Sequence, residues 1–382
     1  MNRSLLQAIA YAGMFVFGIV MALLGAVMPV LSERIAFSLG EAGTLFLVMN
    51  ASMLIASFVV GPSMDRFGLK MPLALGSMLV GFGLVGFGLA STFAGLLPAA
   101  AIVGFGGGAV NAGANTLVAD LHDDPDRKAS ALNLLGVFFG FGALLLPFSI
   151  GALLATVGLQ GLLIAAALLC EVTAIVALIQ PFPIAKQAHG LPFREMRRFA
   201  TTPLVLALAF LLFFQSGNEF MLGGYFATFL TRELTLPVER ASYLLAAYWA
   251  AIMLSRLALS RMLLQFGPQR TVFGGALLSA AGAVIVALAP STSVAVVGVL
   301  ITAAALAGIF PTVLGIAGGA FRDHSGVVFG ILFTVALTGG MTMPWLAGQL
   351  AEASGLRSVF VLVAINFAII AVLNRVAERR LG

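Results

Sequence analysis

Apolar residues run in blocks of roughly 20 to 30 along the whole chain, interrupted by short clusters of glycine, proline and charge. Each block is long enough to cross a hydrocarbon core of roughly 30 Å as a helix. Nothing alternates with strand period over successive ten-residue segments, which speaks against an outer-membrane barrel. The blocks predict about twelve helices. The first six cover roughly 7–31, 41–62, 71–91, 94–119, 129–154 and 158–180. The second six cover roughly 203–231, 238–262, 270–289, 292–320, 325–350 and 355–375. Between them lies the most polar stretch, Pro181 to Thr202, with Lys186, His189, Arg194, Arg197 and Arg198. The expected organisation is an N-terminal half over 1–180, a linker over 181–202 and a C-terminal half over 203–382.

Composition agrees. Of 382 residues 61% are hydrophobic and 9% charged, with mean hydropathy +1.09. A soluble chain carries charge at about 25% of positions, so this deficit demands a multispanning membrane protein. Gly 44 and Phe 31 suit helices packed closely in lipid. A net charge of +5 invites nucleic acid, but the placement of the basic residues argues otherwise. One side of the predicted spans collects Arg3, Arg66, Lys70, Arg127, Lys128, the linker, Arg256, Arg261, Arg270, Arg322, Arg375, Arg379 and Arg380. The other has Arg34, Arg232, Arg240 and Arg357 alone. By the positive-inside rule both termini and the linker lie in the cytoplasm, in a bacterial-type inner membrane. Expected partners are a small-molecule solute and membrane lipids, not nucleic acid, and the expected state is a monomer. The one cysteine, Cys170, lies in an apolar run, which leaves no disulfide or cysteine-metal site. Leu5 to Leu31 is too long for a signal-peptide core and reads as a first spanning helix.

One loop is more specific. Gly61-Pro62-Ser63-Met64-Asp65-Arg66-Phe67-Gly68-Leu69-Lys70, between the second and third predicted helices, resembles the signature loop of the major facilitator superfamily. A degenerate echo, Ser255-Arg256, Arg261, Gly267 and Arg270, occupies the equivalent place in the second half. The resemblance covers essentially the whole chain and implies twelve transmembrane helices in two related six-helix bundles. It implies that Gly61, Asp65, Arg66, Gly68, Lys70 and Arg256 form conformational latches: glycine for a tight turn and close helix approach, charges for pairs that form and break.

Further patches are similar to the fucose–galactose–glucose:proton symporters. They are Asn111-Ala112-Gly113-Ala114-Asn115 in the fourth helix, Ala131 to Leu144 with Pro147 in the fifth, and Glu219, Gly223, Gly224 and Tyr225 in the seventh. One departure matters. Such symporters use carboxylates in the first and fourth helices for proton handling. Here the first helix has no acid and the fourth carries Asn111 and Asn115, so in an ion-driven transporter Glu219 must do more of that job, or the ion is different.

Glu219 is the strongest chemical signal by itself. A carboxylate at bilayer depth costs about 2.5 to 3.5 kcal/mol on insertion scales, so it faces a protein interior or a wet cavity. Gln215, Asn218, Glu219, Leu222, Tyr225 and Phe226 share a face at helical spacing. Gly223 and Gly224 are expected to weaken the helix where a pathway could open. Glu219 can act as proton carrier, sodium ligand or acceptor for sugar hydroxyls, against a purely structural role. The resemblance implies that helices one, four, seven and ten line a central cavity. Asn111 and Asn115 continue a stripe through Gly104 and Gly108, where amides offer donors and acceptors to a polyhydroxylated solute or bond neighbouring helices. Tyr248, Thr338 and Trp345 are further candidates, with packing or interfacial anchoring as the alternative. Asn50 and Asn133 are lesser ones.

No metal-spaced cluster and no nucleophile–base pair is visible, so enzyme activity, metals and cofactors other than a coupling ion are not expected. The expectation is a secondary transporter importing a sugar or similar polar solute with a cation, a proton before sodium. The alternatives are a proton-coupled exporter of amphiphilic drugs or metabolites, and a non-transporting sensor of the same fold.

Overall fold

The computed structural model describes residues 3–122, 124–183 and 193–381, helical almost throughout, with no strand among them. The helices are α1 (Arg3–Arg34), α2 (Leu39–Phe67), α3 (Lys70–Leu89), α4 (Phe93–Leu121), α5 (Pro125–Ile179), α6 (Phe193–Ala200) and α7 (Pro203–Arg232). They continue with α8 (Val238–Phe266), α9 (Pro268–Ala287), α10 (Thr292–Leu306), α11 (Ile309–Ala320), α12 (Ser325–Ser354) and α13 (Arg357–Leu381). Ten stretches among the described residues are long and apolar enough to span a membrane. One, Ser130–Ile179, has 50 residues, enough for two crossings. It turns at Gly158, whose φ of 72° lies in the left-handed region that glycine alone enters freely. With α8, 29 residues long, each half carries six spans.

Local chemistry sets the ends. Thr92 caps α4 by accepting from the Gly95 amide, and Asp124 caps α5 by accepting from that of Arg127. Ser38 and Glu41 form a reciprocal capping box at the start of α2, Glu41 N donating to Ser38 Oγ at 3.1 Å and Ser38 N to Glu41 Oε2 at 2.8 Å. Pro203 and Pro268 open α7 and α9, where a missing N–H costs nothing.

The predicted span over 292–320 is present as Thr292–Ala320, with its helix interrupted once. Pro311 has no N–H to offer the Ala307 carbonyl four residues back, and its ring crowds that carbonyl. The hydrogen-bond ladder is accordingly interrupted at Ala307–Gly308, whose backbone stays in the right-handed helical region, and α11 begins at Ile309. Part of the expected linker, 193–200, is helical, while 184–192 lie outside the described residues.

The chain divides into two compact units. The first comprises Met1–Phe37, Leu45–His189 and Pro237–Ala246; the second comprises Ser38–Thr44, Gly190–Leu236 and Ala247–Gly382. In the first, α1 lies against α5 with backbones nearly touching: a Cβ on Gly18 would collide with the Phe139 carbonyl, and one on Gly142 with that of Phe15. The Gly104 and Gly108 stripe of α4 admits α2, whose Met49 and Met53 carbonyls lie over the two glycines. In the second unit α7 is the central helix, packed by α12, α13, α10 and α11. Many large apolar side chains remain outside, among them Phe82, Leu168, Val172, Leu288 and Val372, as expected for surfaces solvated by lipid.

Candidate functional site

From Gln215 to Leu230 every residue of α7 is buried, so its polar side chains must find partners inside the second unit. They find them on different neighbours. Glu219, 8% exposed, points at α8, where its Oε1 lies 3.5 Å from Arg256 Nη2. Tyr248 of α8 donates its hydroxyl to the Glu219 carbonyl at 3.4 Å. Gln215, one turn earlier, donates Nε2 to the Leu306 carbonyl at 3.3 Å. Arg256 donates Nε to the next carbonyl, Ala307, at 3.4 Å. Gln215 and Arg256 therefore meet consecutive carbonyls at the α10–α11 break, the second of which Pro311 leaves without its helical donor. A broken helix at this depth persists because protein side chains satisfy its backbone.

The remaining polar groups of that face turn elsewhere. Asn218 donates to the Val363 carbonyl at 3.4 Å and accepts from Asn366 Nδ2 at 3.0 Å, which ties α7 to α13. Tyr225 donates to the Pro344 carbonyl of α12 at 2.8 Å. The face expected from spacing thus divides: Gln215 and Glu219 reach α8 and the break, whereas Asn218 and Tyr225 serve as interhelical bonds.

The structure adds detail to three expectations. Arg256, expected among the latch residues, lies ten residues, or about 15 Å of helix, from the end of α8 and within 3.5 Å of Glu219. Gly223 and Gly224 do not open α7, which is continuous there; a Cβ on Gly223 would stand 2.8 Å from Trp249 Cζ2, so the glycine makes room for an indole. The span whose hydrogen-bond ladder is interrupted is the tenth. Gly61 is not a close-approach residue either, because it lies within α2 and a Cβ there meets nothing within 4 Å. The turn is made by Gly68, at φ 81°, whose amide caps the Met64 carbonyl at 2.8 Å. Arg66 is exposed, its guanidinium 5.1 Å from the centre of the Phe67 ring, and Lys70 begins α3. The side chains of Asp65, Asn133 and Arg261 lie outside those described.

In the first unit Asn115 donates to the Asn111 Oδ1 and carbonyl, each at 2.9 Å, and faces Met14 of α1. Asn50 is fully buried, donating to the Phe46 carbonyl at 3.0 Å, while its Oδ1 finds no hydrogen-bond partner among the described residues. Thr338 bonds back to the Thr334 carbonyl of its own helix, and Trp345 is 38% exposed. A cavity of about 580 Å³ opens among α1, α4 and α5, lined in part by Arg3, Gln7, Tyr11, His122, Arg127 and Ser130. None of these was singled out from sequence, since single polar residues at span ends resemble ordinary topology determinants. Asn366 was also missed, although an amide in an otherwise apolar run was a readable signal.

Comparison with known proteins follows this architecture. A Yersinia pestis MFS-type transporter of uncharacterised substrate is 22% identical over 371 residues, 96% of this chain and 94% of its own length. The human vesicular acetylcholine transporter is 27% identical over 152 residues, 39% of this chain and 29% of that protein. Among solved structures, a bacterial homologue of the human lysosomal transporter Spinster, inward-facing and occupied, superposes with TM-score 0.81 at 17% identity, covering 99% of this chain and 96% of the other. The nucleoside transporter NupG superposes with TM-score 0.81 at 14% identity, over 98% and 99%. The Escherichia coli fucose:proton symporter FucP gives TM-score 0.70 at 17% identity, over 99% of each chain. The pattern of the Major Facilitator Superfamily matches residues 10–216 and 208–380, so that sequence and helical architecture together establish that this chain belongs to that superfamily of transporters.

Proposed function

We propose that this transporter imports a sugar or similar polar solute together with a proton by alternating access, with Glu219 as the coupling group. The observation that carries this reading is the pair of buried Glu219, the sole acid of α7, with half-buried Arg256 of α8 at 3.5 Å. A carboxylate among apolar helices is costly, and its cation partner lowers that cost only while both remain charged. A proton on Glu219 breaks the pairing, so the local packing of α7, α8 and the α10–α11 break responds to protonation. The structural neighbours named as fucose and nucleoside transporters carry polar, hydroxylated solutes, which agrees with a site of amides and carbonyls. The distribution of basic residues supports a bacterial-type inner membrane with both termini in the cytoplasm.

The experiment is flux into proteoliposomes under an inward proton gradient. Glu219→Gln is expected to abolish gradient-driven accumulation while leaving expression and folding near normal. Full accumulation by that variant removes Glu219 from the mechanism. The partial match to vesicular acetylcholine transporters favours a second reading, proton-coupled export of an amphiphilic compound. It is read in the same vesicles as proton efflux stimulated by the compound, with no concentrative uptake of sugars.

A further inference from the structure

We infer that the second unit holds an anionic phospholipid in a cavity among α9, α11 and α13, its acyl chain along α11 and its phosphate beside the arginines at the helix ends. Such a lipid site goes beyond the proposed transport function and does not depend on the coupling role of Glu219.

The cavity has a volume of about 580 Å³, within the roughly 300 to 1,000 Å³ usual for ligand pockets. Its wall is chiefly apolar: Pro311, Gly315, Ile316 and Gly319 from α11, with Leu381 from α13. Positions 311, 315 and 319 recur at helical spacing and so form one stripe along α11. A Cβ built on Gly315 or Gly319 meets nothing within 4 Å, so both leave space beside α11 that none of the described residues fills. A wall of this kind suits hydrocarbon.

The same cavity has a polar side. Pro268 and Gln269 bring the start of α9 to it, and no side chain caps that helix. The first amides of an uncapped helix carry partial positive charge and favour an anion. Thr312 is an independent sign. It lines the cavity, is 5% exposed, and its Oγ1 has no hydrogen-bond partner among the described residues. A buried hydroxyl left unpaired is costly, so a polar ligand atom is favoured there.

Exposed arginines stand at the end of each helix that walls the cavity. Arg270 follows Gln269, Arg322 comes two residues after Ala320, and Arg379 and Arg380 precede Leu381. Among the described residues none of these four has a carboxylate within 4 Å, whereas Arg375 is paired with Glu378 at 2.8 Å. Guanidinium groups match phosphate oxygens, and basic clusters at helix ends attract anionic headgroups. A free organic phosphate would satisfy the arginines but leave the apolar wall uncovered. A zwitterionic lipid would cover the wall but bring no net negative charge. An anionic phospholipid does both.

The test uses the purified full chain in detergent micelles containing phosphatidylglycerol with a photoactivatable diazirine on one acyl chain. Irradiation should label Pro311 to Ala320 and Leu381 in preference to the other spans. Unlabelled phosphatidylglycerol should displace the probe at about tenfold lower concentration than phosphatidylcholine. Inorganic phosphate and glycerol phosphate should not displace it. Gly315→Leu with Gly319→Leu fills the space beside α11 and should abolish labelling there, with thermal unfolding in lipid-free detergent as the check on folding. Arg270→Gln, Arg322→Gln and Arg380→Gln should each weaken phosphatidylglycerol about fivefold, as one lost contact with an anionic headgroup does, and leave phosphatidylcholine unchanged. The lipid site is overturned if the label spreads evenly over the spans or if phosphatidylcholine competes as well as phosphatidylglycerol. It is equally overturned if either free phosphate displaces the probe, if the filled variant keeps its label, or if no arginine variant weakens binding.

Discussion

Gly223 shows how a residue with no side chain can specify a site. Its Cα faces the Trp249 indole, and that indole packs edge-on against Tyr248 with ring centres 5.2 Å apart. Tyr248 in turn donates to the Glu219 carbonyl. Gly223→Ala should therefore push Trp249 and loosen Tyr248, lowering stability by about 1 to 3 kcal/mol as overpacking does. Thermal unfolding in detergent measures this, with Gly61→Ala as the comparison expected to cause no loss, since its added methyl meets open space. Glu219 was legible in sequence because a carboxylate in an apolar run has few innocent explanations. Arg256 is expected as a latch residue from the echo of the signature loop, and its sequence position says nothing of Glu219. Only the packing of α7 on α8 reveals that it answers Glu219.

Among the elements, the tenth span is the one whose behaviour departs from its hydrophobic pattern. Hydropathy runs unbroken from Thr292 to Ala320, but the hydrogen-bond ladder does not. Pro311→Ala would restore a donor to the Ala307 carbonyl and so compete with Arg256 Nε for it. Amide hydrogen exchange across Leu306 to Thr312 should slow in that variant, because α10 and α11 join into one helix. Unchanged exchange would mean that Pro311 does not cause the break. The same elements show why glycine stripes were only half readable. Spacing placed Gly104 and Gly108 on one face with Asn111 and Asn115, yet only packing identified α2 as the helix they admit.

For the whole molecule, the two-sided distribution of basic residues makes a sharp prediction. In a Cys170→Ser background, which removes the single buried thiol, a cysteine at Arg379 should react with an impermeant maleimide only after the cells are opened. A cysteine at Arg232 should react in intact cells, since both positions are exposed and lie on opposite predicted sides. Labelling of Arg379 from outside would reverse the assigned orientation and, with it, the direction of import.

Membrane insertion, the number of spans and the presence of a costly acid in the seventh span are written in the sequence, because lipid reads hydropathy residue by residue and every apolar run of sufficient length has the same outcome. The capping residues and turn glycines are local too, and they set helix ends to within a few positions. What only tertiary structure decided is which polar groups meet. The pairing of Glu219 with Arg256, the diversion of Asn218 and Tyr225 to other helices, and the bond from Arg256 to the Ala307 carbonyl depend on side chains from helices distant in sequence. No periodicity along one helix encodes the partner waiting on another, so the chemistry of the site emerges only when the helices pack.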